Sequence, residues 1–102
     1  LEEGDRHTRY RYSVTCHTIE AGVLFCLRGL CEWAAQGQHP NIARGGTTKD
    51  DWEAAGGKAT FRFTDPSARK RFLDEAARLL ATRWTVVGQS DHDPAFRIGK
   101  PR

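Results

Sequence analysis

The fold turns on residues 51–66, "DWEAAGGKATFRFTDP". Gly56 and Gly57 can supply the positive φ angles of a tight two-residue turn, and the apolar residues on either side of them alternate. Read as a hairpin, the turn sets Ala55 against Lys58, Trp52 against Phe61 and Asp51 against Arg62. Trp52, Ala54, Ala59, Phe61 and Phe63 then share one face, which fixes the register. A helical turn over Asp50 to Ala55 is the alternative. The stretch ends on Asp65-Pro66, a helix start with an N-cap residue followed by proline at the first helical position.

Upstream, residues 8–16, "TRYRYSVTC", alternate as a half-buried strand, with Tyr10, Tyr12, Val14 and Cys16 on one side and Arg9, Arg11, Ser13 and Thr15 on the other. Thr18 is placed to cap a following helix and Gly37 to end it. Ile19, Val23, Cys26, Leu27, Leu30 and Ala34 form that helix's buried stripe, widened by Leu24 and Cys31. Arg28 and Glu32 are spaced to pair on its wet side. Downstream of Asp65, the stripe is Ala68, Phe72, Leu73, Ala76, Leu79 and Leu80, and "WTVVGQ" (84–89) reads as a last strand.

The order β-α-β-β-α-β predicts an α+β, ferredoxin-like βαββαβ two-layer sandwich: a four-stranded antiparallel sheet covered on one face by two helices. Residues 8–90 form the expected domain, with an N-terminal extension over 1–7 and a C-terminal turn and tail over 91–102. At 102 residues the chain has room for one core. With 38% hydrophobic and 28% charged residues it falls in the globular range, and no apolar run approaches the ~18 residues of a membrane span. A cytoplasmic protein is expected.

"GGKATFRF" also resembles the third strand of RNA-recognition domains. Gly57, Ala59, Phe61 and Phe63 fit the second, fourth, sixth and eighth positions of that motif. Gly56, Lys58 and Thr60 do not fit the first, third and fifth. What matches is the turn and the inward face; what fails is the outward face that meets bases. Tyr10 and Tyr12 likewise share the inward face, since turning them out would bury Arg9 and Arg11. The resemblance therefore extends to fold geometry and does not supply a base-stacking platform.

Arg9, Arg11, Lys58 and Arg62 are expected on the open sheet face, a basic surface for an acidic protein partner or, as the alternative, for the phosphates of single-stranded nucleic acid. The net charge of +3 is mild for a dedicated nucleic-acid binder. Cys16, Cys26 and Cys31 are irregularly spaced, and Cys26 and Cys31 lie ~140° apart around a helix, so free thiols are expected. No C-x2-C pair joins them to His17 or His39 as a metal site. "SDHDP" sets His92 between two carboxylates, but neighbouring residues rarely face each other, and no nucleophile motif accompanies it. A small-molecule site between helices and sheet is a further possibility.

Phe25 is the anomaly. It falls on the wet side of the first helix, near Gly22, Gly29 and Trp33. Two glycines beside two large aromatics suit close approach by another surface. The competing reading packs the second long helix into that groove. The expectation is a non-enzymatic interaction module without cofactor or metal, binding a protein partner or itself, with a homodimer included, through Gly22, Phe25, Gly29 and Trp33.

Overall fold

A computed structural model describes residues 8–36 and 40–95, the side chains of 40 and 41 excepted. Strand β1 (Tyr12–His17) leads to helix α1 (Ala21–Ala34) and two short helices, α2 (Pro40–Ala43) and α3 (Lys49–Ala54). Strand β2 (Lys58–Phe63), helix α4 (Pro66–Leu80) and strand β3 (Thr85–Ser90) follow. The sheet is antiparallel with order β2-β1-β3. Tyr12 pairs with Phe63, Val14 with Phe61 and Cys16 with Ala59, so these side chains share the face that meets the helices.

The expected fourth strand does not form, and the four-stranded ferredoxin-like sheet is corrected to three strands. Residues 49–54 are helical because every local device there favours a helix. The Thr48 hydroxyl accepts from the Asp51 amide at 3.2 Å as an N-cap. Asp50 and Asp51 stand in the first turn, and Lys49 pairs with Glu53 at 2.9 Å. The glycines then close this helix instead of turning a hairpin. The Gly57 N–H donates to the Trp52 carbonyl and the Gly56 N–H to that of Glu53, with φ of +93° and +71°. That is the Schellman pattern of a helix end. Arg62 consequently faces Ser13 of β1, not Asp51, and Trp52 does not face Phe61.

Trp52 still reaches the core, where its indole N–H donates to the Thr18 carbonyl at 3.0 Å. Thr18 is a junction. Its N–H donates to the Gly57 carbonyl, and its hydroxyl donates to Arg83 O and accepts from the Glu20 amide. It stands outside α1, whose N-cap is Glu20. The later start leaves Ile19 82% exposed, and the buried stripe becomes Val23, Leu24, Leu27, Cys31 and Ala34, with Cys26 outside it. The wheel is rotated from the expected one toward Leu24 and Cys31. The first strand also starts later than expected, at Tyr12, leaving Thr8 and Arg9 in a helical turn.

α4 follows its sequence closely. Asp65 caps it through Ala68 N–H at 2.7 Å, and Ala68, Phe72, Ala76 and Leu80 are buried. Leu79 departs from the expected stripe and is exposed. Phe72 stacks at a tilt on Phe61 (5.1 Å between centroids) and on Phe63 (5.4 Å). The helix ends at Ala81 with φ +51° and ψ −118°, a conformation that costs a Cβ-bearing residue. Ala81→Gly is therefore expected to raise stability by about 1 kcal/mol, read as a higher urea midpoint at unchanged slope; a lower midpoint would show this turn to be unstrained.

Candidate functional site

The outer side of α1 carries two of the large apolar side chains that stand exposed among the described residues. Phe25 is 49% and Trp33 53% exposed, and among the described residues nothing lies within 4 Å of a Cβ built at Gly22 or Gly29. The end of α4 borders this side only at Gly22, through Leu79 and Leu80, and leaves the two aromatic side chains half exposed. Gly22, Cys26, Gly29 and Trp33 are spaced four, three and four residues apart, which aligns them within about 60° of helix circumference. Phe25 borders this line. All five are uncharged. Glu32 is turned to Arg44 at 2.7 Å, instead of to Arg28 as its spacing suggests, and at the Gly22 end Glu20 and Arg83, themselves paired at 3.1 Å, line the same hollow as the glycine.

Cys26 is the thiol that sequence periodicity misplaced, and it is exposed on this seam. Cys16 and Cys31 are buried. Burial pushes the Cys16 thiol up to about 12 and raises that of Cys31 further, so both stay protonated and unreactive. His39 lies outside the described residues. Among the described residues, no group of three potential metal ligands is gathered.

The open sheet face is arranged differently from the expected basic surface. After β3 the chain folds back across it, with Asp93 N–H donating to Arg11 O at 2.9 Å and Ala95 N–H to Tyr10 O at 3.1 Å. Each residue of "DHD" takes an arginine. Asp91 binds Arg69 at 2.8 Å, His92 Nδ1 accepts from Arg11 at 2.9 Å, and Asp93 is forked by Arg62 at 3.1 Å to both oxygens. Arg62 and Arg11 are thus held within the chain, while Lys58 and Arg9 are exposed. Both carboxylates that flank His92 in sequence are engaged by arginines, Asp91 by Arg69 and Asp93 by Arg62.

The Arg62 side chain is only 15% exposed, so removing its carboxylate strands a partly dehydrated cation. Asp93→Ala is expected to cost about 1–2 kcal/mol in urea unfolding, with less loss when Arg62→Met is added. Simple additivity of the two changes would mean that the pair does not couple.

A cleft of about 470 Å³ opens on this same face, lined by Thr15, Ile42, Gly45, Lys58, Thr60 and Arg62. Between helices and sheet, the space beside Tyr10, Ala34, Phe63 and Ala68 is about 90 Å³, room for roughly three waters. The larger space lies between the short helices and the sheet, and the smaller one between the long helices and the sheet. No helix among the described residues is long and apolar enough to cross a membrane. No protein-family model, no curated protein and no solved structure matches this chain.

Proposed function

We propose that this domain is a protein-interaction module whose contact surface is the outer seam of α1. One observation carries the reading: Phe25 and Trp33 stand half in water on an uncharged line with glycine gaps between them. Fully burying such a side chain is worth about 1.5–3 kcal/mol, so a partner covering both gains a two-residue anchor. The glycines let its backbone come close. The basic sheet face contributes less, because its central arginines are already engaged by residues 91–93.

The test is a photo-cross-linking amino acid at position 25. It is expected to give a discrete adduct that disappears when Trp33→Glu is added, while the circular dichroism melt is unchanged. No adduct, or one indifferent to Trp33, would remove α1 as the contact surface.

A further inference from the structure

The cleft between the short helices and the open face of β1 and β2 is separate from the α1 surface. Its volume of about 470 Å³ falls in the range of small-molecule sites, about 300–1,000 Å³. It stays open because Gly45, Gly46, Ala55 and Ala95 border it with little beyond backbone. Its wall is also built in advance. The Gly45 N–H donates to the Ile42 carbonyl at 3.3 Å, and the hydroxyl of Thr47, fully buried, donates to that of Arg44. A wall already ordered spares a ligand that cost.

Two features of the floor select the ligand. Thr15 and Thr60 face each other across the strand pair, with their hydroxyl oxygens 2.8 Å apart. Such a pair holds two protons and uses one between its oxygens, so one O–H remains to donate to an acceptor in the cleft. Two residues along the same face of β2, about 7 Å away, stands Lys58. Its ammonium has no carboxylate partner among the described residues. No acidic side chain is among the described residues that line the cleft, and its other cation, Arg62, is already forked onto Asp93. One unspent positive charge and one hydroxyl donor therefore stand beside the apolar wall of Ile42 and Ala55.

We infer that this cleft binds a small aryl carboxylate, one carboxylate oxygen on the Lys58 ammonium, the other on the Thr15/Thr60 hydroxyl pair, and the rings against Ile42. A single free cation matches a monoanion; a phosphate dianion brings a second charge that the apolar wall does not compensate. The rings gain by displacing water from that wall. The site is independent of the contact surface proposed for α1.

Titration of the ¹⁵N-labelled full chain with 2-naphthoate, read from amide chemical shifts, tests this. A saturable response is expected at Thr15, Ile42, Gly46, Lys58 and Thr60, and not at Phe25 or Trp33. 2-Naphthamide keeps the rings without the charge, and inorganic phosphate keeps the charge without the rings; each is expected to bind roughly tenfold more weakly. Lys58→Gln is expected to weaken 2-naphthoate by roughly tenfold and Thr60→Val by roughly threefold, while Thr60→Phe fills the floor and abolishes the response. Lys58 is exposed, so its variant keeps the fold and decides the matter if the Thr60 variants unfold. No saturable response in the wild type, equal binding of the amide or of phosphate, or full affinity in Lys58→Gln overturns the inference. Trp33→Glu is expected to leave the affinity unchanged, so the cleft and the α1 surface stand or fall separately; loss of binding in that variant would move the ligand to α1 and overturn the cleft.

Discussion

Phe72→Ala is expected to destabilise the domain by about 3–5 kcal/mol, the cost of removing a large ring from a closed core. Phe72 is fully buried and is the one α4 side chain whose ring meets both Phe61 and Phe63. Those two rings stand on the inward face of β2, so Phe72 is the main rivet between helix and sheet. Total stabilities of small domains run about 5–15 kcal/mol, so this variant would sit near the edge of unfolding. Urea denaturation should show a much lower midpoint with little change in slope. Phe72→Leu keeps most of the volume and is expected to lose less than half as much. A loss below about 1 kcal/mol for the alanine variant would mean that α4 is not seated where the ring contacts place it.

Gly57→Ala is expected to cost roughly 2–4 kcal/mol, for two separate reasons. With φ at +93°, any Cβ is strained there. That Cβ would also stand 2.9 Å from the Thr18 carbonyl oxygen and 3.0 Å from His17 Nε2. The carbonyl cannot retreat freely, because it accepts the Trp52 indole N–H. Gly56→Ala is the matched control. Its φ of +71° also disfavours a side chain, but nothing lies within 4 Å, so about 1 kcal/mol is expected. Thermal melts should separate the two clearly, at about 4–8 °C per kcal/mol for a chain of this size. Equal losses would show that backbone conformation, and not the approach to Thr18, sets the cost at both sites.

The same glycines mark where sequence reasoning ended. A pair of residues with positive φ serves a hairpin turn and a helix C-cap equally well, and six residues are too few to separate periods of 2 and 3.6. Trp52 and Ala54 alternate as a strand would. The signals favouring the helix were present at Thr48, Asp50, Asp51 and the Lys49/Glu53 pair, each local and each small. β1, β2, β3 and α4 were legible because their patterns are longer or their caps unambiguous, as at Asp65-Pro66. On α1 the wheel identified Phe25 and Trp33 as outward, but missed Cys26, since the helix starts at Ala21 and its core line shifts. The arginine contacts of Asp91, His92 and Asp93 could not be read at all. They join residues that are 22, 81 and 31 positions apart, and no local periodicity encodes such pairings.

The strand order carries a kinetic consequence. β1 precedes both of its partner strands in sequence yet lies between them in the sheet. During synthesis, Val14 and Cys16 stay without a strand on either side until Lys58–Phe63 emerges, and without a second until Thr85–Ser90 does. Contacts so distant along the chain pay their loop-closure entropy before any pairing rewards it, so assembly waits for the last strand and proceeds slowly for a molecule this small.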